Sequence, residues 1–232
     1  MRRRRNKGKR LSKIVYRFAA ILCLLIAISW LPILGLRWLQ PPTTAFMLQD
    51  ESARESIAYE WVEWSLINSN AAYAVMAAED QKFPDHFGFD FASIRDSLDQ
   101  RDNGLELRGA STISQQVAKN LFLWPGRSFV RKGIEAYFAL LLELTWPKQR
   151  ILEVYLNVAE FGPGIYGVAA ASQEFFATTP AGLTDAEAAL LAAVLPNPAR
   201  LRADRPSDYL RDRQRWILGQ LQRLRREQAL SF

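Results

Sequence analysis

The sequence is poor in the two side chains most often used to build reactive or cross-linked sites. Its 232 residues contain one cysteine and one histidine. The cysteine, Cys23, lies inside an apolar run, so the rest of the chain has no thiol and no disulfide, and its stability must come from a packed core. A lone histidine, His86, lacks the paired-ligand spacing of a zinc site. There is no G-x-x-x-x-G-K-[ST] phosphate loop, no internal repeat, and no alternating strand pattern of useful length. Long apolar runs are also scarce. Residues 18–36, "FAAILCLLIAISWLPILGL", form the single one, and they carry no charge.

What is present divides sharply along the chain. Residues 1–17 hold nine of the 30 Lys and Arg and no acid, which leaves 21 bases against 24 acids in the remainder. The net charge of +6 is therefore a property of the N-terminal tail. A basic tail alone would suit nucleic acid, but the apolar run that follows excludes that reading. As a helix the run spans roughly 28 Å, close to the hydrocarbon thickness of a bilayer. A buried core helix is seldom apolar on every face for this long. A cleaved signal peptide has a shorter apolar region and a small-x-small cleavage site. The run therefore reads as an uncleaved anchor, with the basic tail cytoplasmic and everything after it across the membrane. The expected organisation is a tail at 1–17, an anchor at 18–36, a linker at 37–50 closed by Pro41 and Pro42, and one globular domain at 51–232.

Helical spacing dominates that domain. Apolar residues recur at helical intervals over 52–67, with Trp61 and Trp64 three apart. Further helices are expected at "NAAYAVMAA" ending at Glu79, at "FASIRDSLDQ", and at "STISQQVAKNLFL" behind a Thr112–Gln115 capping box. They continue at "FVRKGIEAYFALLLELT", at "KQRILEVYLNVAE" after Pro147, at "VAAASQEFF", and at "AEAALLAAVL" behind a Thr184–Glu187 box. A basic amphipathic helix ends the chain. "RDNGLELRGA" reads as a loop and "FGPGIYG" as a glycine-rich turn. The fold expected is mainly α, almost without strands.

Three stretches could carry chemistry. "AAEDQKFPDHFGFD" crowds Glu79, Asp80, Asp85, His86 and Asp90 among phenylalanines. A carboxylate ending a small-residue apolar helix there is poorly hydrated, which raises its pKa and suits it to proton transfer near neutral pH. An isolated glutamate at a helix end more commonly just faces water. "RGASTISQQVAKN" offers small residues for close approach, free N–H groups at a helix start for an anion, and Lys119 two turns on, with Arg127 beyond. An ordinary capped helix explains it equally. "RSFVRKGIEAYF" places Arg131 and Glu135 on one helix face, a surface ion pair or a second carboxylate of a sugar-processing cleft.

Together and in order, the stretches resemble the peptidoglycan glycosyltransferases, the transglycosylase modules of bifunctional penicillin-binding proteins and their monofunctional, membrane-anchored relatives. E-D-x-x-F-x-x-H-x-G-x-D at 79–90 resembles the first family motif, "RGASTISQQVAKN" the second and "RSFVRKGIE" the third. "KQRILEVYLNVAEFGPGIYGVAAAS" resembles the fourth and "AEAALLAAVLPNP" the fifth, so the match covers about 60–198. Ala110, Ser114 and Pro84 depart from the usual glycine, threonine and tyrosine. The short chain and the absence of S-x-x-K, S-x-N and K-T-G resemble the monofunctional subgroup.

The resemblance implies a lysozyme-like, two-lobed helical domain behind a single transmembrane helix in the bacterial inner membrane, with the catalytic domain periplasmic. It implies polymerisation of lipid II into β-1,4 glycan with inversion and release of undecaprenyl pyrophosphate. By position, Glu79 is the implied general base. Lys119, Arg127, Arg131 and Lys132 would neutralise the pyrophosphate. Glu135 would orient the substrate or hold a divalent cation, magnesium or manganese. Ser111, Gln115 and Gln116 would line the donor site, while Asp80, Phe83 and His86 would shape the loop. No organic cofactor and no nucleic acid is implied. Implied partners are lipid II, the growing glycan, membrane lipids, and cell-division or penicillin-binding proteins. Two other readings remain at this point: a glycan-cleaving enzyme of lysozyme-like fold, and a non-catalytic anchored scaffold.

Overall fold

A computed structural model describes residues 2–51, 57–93, 95, 111–126 and 128–227, with the backbone alone for 2–12 and 14. The chain forms two compact units, Met1–Gln40 and Pro41–Phe232. The first unit is helix α1, Arg2–Leu36. Its segment Val15–Leu36 has a mean hydropathy of 2.5, long and apolar enough to cross a bilayer. Large apolar side chains on it lie open, among them Phe18 at 70% and Leu31 at 67% exposure. A core helix would bury them, so the exposure is compatible with a single-pass anchor.

The second unit is built mainly of helices: α2 (Ser69–Glu79), α3 (Ile113–Phe122), α4 (Phe129–Thr145), α5 (Lys148–Val158), α6 (Gly167–Phe176), α7 (Asp185–Val194) and α8 (Asp208–Glu227). Both capping boxes form. Thr112 accepts from the Gln115 N–H while the Gln115 side chain accepts from the Thr112 N–H, and Thr184 and Glu187 do the same at α7. These contacts satisfy donors that a helix start otherwise leaves orphaned. Pro147 stands at the N-cap of α5.

Helix α2 is the centre of one half of the core. Ala71 to Ala77 are all buried, most of them alanine, and α7 and α8 pack against it. Small side chains allow that close approach. Helix α5 is the second centre, with Ile151, Leu152, Val154, Tyr155, Leu156 and Val158 buried.

Two sequence expectations change. Residues 57–67 are not helical: Ala58–Tyr59 is strand β1 and Trp64–Leu66 a 3-10 turn. Asn157 explains this. Its amide oxygen accepts from the Val62 N–H at 2.8 Å and its amide nitrogen donates to the Val62 carbonyl at 2.9 Å, while Glu153 accepts from the Trp64 N–H at 2.9 Å. Helix α5 thus takes up the backbone groups a helix would have used internally. The glycine-rich turn is part of a small sheet: β2 (Glu160–Gly162) and β3 (Ile165–Tyr166) pair antiparallel, and β1 joins β3 in parallel, giving the order β1–β3–β2. Strands of two or three residues are too short to show an alternating pattern. Of "FASIRDSLDQ", Phe91–Ser93 is helical, and the loop expected over 101–110 lies outside the described residues.

Gly167 joins β3 to α6 with φ +83, and a Cβ there would stand 2.5 Å from the Asn157 carbonyl oxygen. No side chain fits that gap, and the left-handed backbone adds strain. Gly167→Ala is expected to destabilise the domain by about 3 kcal/mol, read as a lowered unfolding midpoint of the full chain in detergent.

Candidate active site

Glu79 is the last residue of α2, and Asp80 is its C-cap. The negative end of the helix dipole opposes a charge there, and burial in the Ala-rich core opposes it further. The Glu79 carboxyl is accordingly held above the usual carboxylate range, chiefly by burial; the hydrogen bond from Gln116 and the charges of Arg213 and Lys119 pull the other way. Gln116 Nε2 donates to Glu79 Oε2 at 2.9 Å, and Tyr155 Oη donates to Gln116 Oε1 at 3.1 Å. The tyrosine therefore sets which way the amide faces, and the amide fixes the carboxylate. An Arg213 guanidinium nitrogen from α8 stands 3.7 Å from Glu79 Oε1.

A second cluster gathers at the start of α4. Arg131 Nη1 donates to Glu135 Oε2 at 3.1 Å, Lys132 Nζ donates to Glu135 Oε1, and Lys132 also donates to Ser111 Oγ at 3.1 Å. The Glu135 side chain is 4% exposed, that of Arg131 12%, and that of Lys132 47%. This is no surface pair; a buried carboxylate is doubly neutralised, and one ammonium still reaches solvent.

Lys119 links the two clusters. It lies one turn beyond Gln116 on α3. Burial lowers its pKa, and the charges of Glu135, Glu79 and Glu160 raise it against that of Arg131. Its ammonium also sits over the Phe46 ring, 5.1 Å from the centroid. The structure therefore brings Glu79, Gln116, Lys119, Arg131, Lys132, Glu135 and Ser111 into one electrostatic neighbourhood. Arg127, expected among the cations, lies outside the described residues.

The other predicted residues turn inward. His86 Nε2 contacts both Asp80 carboxylate oxygens at 2.9 Å, and Asp80 Oδ2 accepts from the Ile113 N–H at 3.0 Å. Phe83 is fully buried. Gln115 is buried with its amide oxygen committed to the cap of α3. The first N–H groups of α3, expected to meet an anion, are thus partly taken up by Asp80 and Thr112. Thr112 Oγ1 further donates to the Gly88 carbonyl at 2.7 Å.

Some residues at the site escaped the sequence reading. Lys148 Nζ donates to the His86 carbonyl at 2.6 Å and to Glu143 Oε1 at 2.8 Å, and it lies over the Phe83 ring. Ser114 also donates to Glu143. This buried network clamps the loop after Glu79 to α3, α4 and α5. Glu160, at the start of β2, is pushed up to about 7, by burial first and then by the Asp50 charge, against Lys119. Tyr155 and Arg213 were also missed. Arg213 had a legible signal: Leu210, Ile217, Leu221 and Leu224 are the buried residues of α8, and position 213 falls on their stripe at helical spacing.

The described residues offer a divalent cation no ready protein cage. Both Glu135 oxygens are already paired with cations. Among the described residues no group of three His, Cys, Asp or Glu comes together.

Known proteins resemble this chain over most of its length. Residues 47–222 match the family described as Transglycosylase. A protein of Stutzerimonas stutzeri (strain A1501) named biosynthetic peptidoglycan transglycosylase is 52% identical over 220 residues, covering 92% of this chain and 91% of that one. A protein of the same name from Marinomonas sp. (strain MWYL1) is 53% identical over 191 residues, 81% of this chain and 82% of that one. Another from Pseudomonas syringae pv. tomato is 46% identical over 209 residues, 88% and 89% of the two chains.

Removing Lys148 would strand the Glu143 carboxylate, whose side chain is 2% exposed. Lys148→Met is expected to cost about 3 kcal/mol of stability, measured by denaturant unfolding; Glu143→Gln combined with Lys148→Met should recover part of it.

Proposed function

Because the chain belongs to the Transglycosylase family and is a peptidoglycan glycosyltransferase, we propose that it polymerises lipid II into β-1,4-linked glycan, inverting the anomeric carbon and releasing undecaprenyl pyrophosphate. The observation that carries this reading is the poorly hydrated Glu79 carboxylate, linked through Lys119 to the Arg131–Lys132–Glu135 cluster. Glu79 takes the proton from the 4-hydroxyl of the acceptor sugar as that oxygen attacks the anomeric carbon of the donor. The C–O bond to the diphosphate breaks, and its electrons leave on the diphosphate oxygen. Lys119, Arg131 and Lys132 offset that charge, with Arg127 assigned the same role by position. Glu135 keeps Arg131 and Lys132 in place; Ser111 and Gln116 border the two groups. Asp80, Phe83 and His86 hold the loop and take no part in the proton transfer.

The apolar helix α1 supports tethering at the inner membrane, with the basic tail cytoplasmic and the domain periplasmic. Leu121 and Leu123 are buried, whereas Trp124, Phe129 and Val130 are exposed at 45%, 98% and 72%. The contact surface proposed for membrane lipids is therefore Trp124 with the first residues of α4. Cell-division or penicillin-binding proteins remain proposed partners.

A glycan-cleaving enzyme needs an acid but no cationic cradle for a diphosphate, and a scaffold needs neither. Incubating the protein with lipid II and, separately, with finished sacculi separates the three: conversion of the first alone fits the proposal. Glu79→Gln should lower polymerisation by 100-fold or more, on the order expected for loss of a general base. The variant should still fold, the loss of a buried carboxyl that gains nothing from ionising at neutral pH being set against the loss of the Arg213 counter-charge. A carboxyl whose folded pKa is raised stabilises the fold below its unfolded pKa, and that contribution is lost as pH rises through the folded value. Near-normal polymerisation by this variant would remove Glu79 from the mechanism.

The proposed divalent cation has no cage among the described side chains, so it would ride on the donor's diphosphate oxygens, and no step is assigned to it. EDTA should then slow polymerisation while leaving the melting temperature of the substrate-free protein unchanged. Full turnover in EDTA would discard the cation.

A further inference from the structure

We infer that Arg213, contributed by the C-terminal helix α8, is a positioning residue for glycan formation: its guanidinium keeps the Glu79 carboxylate charged and turned so that Oε2 rests on Gln116 and Oε1 faces the acceptor hydroxyl. This rests on the assignment of Glu79 as the base.

The geometry separates the two carboxylate oxygens. Oε2 accepts the Gln116 amide at 2.9 Å. Oε1 has no hydrogen bond among the described residues, and the Arg213 guanidinium stands 3.7 Å away. That separation is an ion pair without a hydrogen bond. A hydrogen-bonded guanidinium would occupy the lone pair that must receive the proton. At 3.7 Å the charge acts while the lone pair stays open.

Arg213 is not a surface cation that happens to pass by. Its side chain is 24% exposed and that of Glu79 15%, and its buried Nε has no hydrogen-bond partner among the described residues. It occupies the apolar stripe of α8, between the buried Leu210 and Ile217. Burying a guanidinium on such a stripe is costly unless a counter-charge meets it, and the counter-charge it meets is Glu79. Other arginines of α8 have other partners: Arg215 pairs with Asp212, and Arg225 with Asp185.

The remaining groups around Glu79 do not supply this charge in its place. Tyr155, from α5, is neutral, and Asp80 is a like charge. Lys119, from α3, is drawn toward Glu135 and Glu160 as well. The buried residues of α7, which also packs against α2, are all alanine, leucine or valine.

The test compares Arg213→Met, Arg213→Gln and Arg213→Lys in the full chain, with kcat, KM and pH profile measured on fluorescent lipid II. Methionine completes the apolar stripe, so that variant is expected to fold. Loss of the cation should drive Glu79 toward its protonated form. Either neutral variant should lower kcat about tenfold or more at neutral pH, leave KM within about twofold, and move the acidic limb of kcat to higher pH. Arg213→Lys should restore the limb and part of the rate, since lysine keeps the charge without the planar fork. A folded neutral variant with the original limb, or with KM alone changed, overturns the inference. So does failure of both neutral variants to fold, because Arg213 would then serve structure. Glu79→Gln, run alongside, separates the two ideas: if it stays active, the base assignment itself has failed; if it is dead and the limb does not move, only the role of Arg213 has.

Discussion

A carboxylate that is to receive a proton from a sugar hydroxyl faces opposing demands. It must be poorly hydrated, or it is too weak a base, and it must still be ionised, or it is no base at all. On the proposed role of Glu79, both demands fall on the end of α2. An alanine-rich helix removes water and presents its negative dipole end to Glu79, while Gln116, Arg213 and Lys119 act in favour of the anion. Three elements contribute to that balance. Helix α3 brings the amide, α5 brings the tyrosine that orients the amide, and α8 brings the guanidinium.

Helix α3 also ties the acid to the cations. Gln116 reaches Glu79, Lys119 lies one turn on, and Ser111 just before the helix meets Lys132 of α4. Its start is fixed by a capping box and by the Asp80 carboxylate, and these contacts set the position of the amide. The Glu143–Lys148–Ser114 network performs the same service from the far side, and Gly88 leaves room for it: a Cβ there would stand 3.2 Å from the Glu143 side chain.

Much of this was legible in the residues. Helix boundaries followed from apolar spacing and from two capping boxes, because those signals act within a few residues of chain. The region over 57–67 was misread as helix because its backbone is claimed by Asn157 and Glu153, nearly 90 residues away or more; no local pattern reports that. Glu79, Lys119, Arg131 and Glu135 stood out because they belong to recognisable strings. Tyr155 looked like one more core aromatic, its hydroxyl role hidden until Gln116 was placed. Arg213 was lost among the six arginines of α8, although a charge on the buried stripe was readable as a demand for a buried partner.

The order of residues at the start of α4 carries the argument to the substrate. Phe129 and Val130 are open to their surroundings, and within the next turn Arg131 is nearly covered while Lys132 remains half exposed. An apolar lip thus runs directly into a cationic cluster along a single helix turn, capped by the Ser128 side chain on the Arg131 N–H. A free sugar would gain nothing from such a lip, and a bare diphosphate would gain nothing from Phe129. A donor whose diphosphate is bound to a long hydrocarbon uses both at once, provided the lip meets the membrane surface where that hydrocarbon resides. On the proposed reading, the cations then sit at the depth of the phosphates. On the same reading the glycan grows outward past Glu79, where burial strengthens the base and the arginine of α8 opposes its protonation.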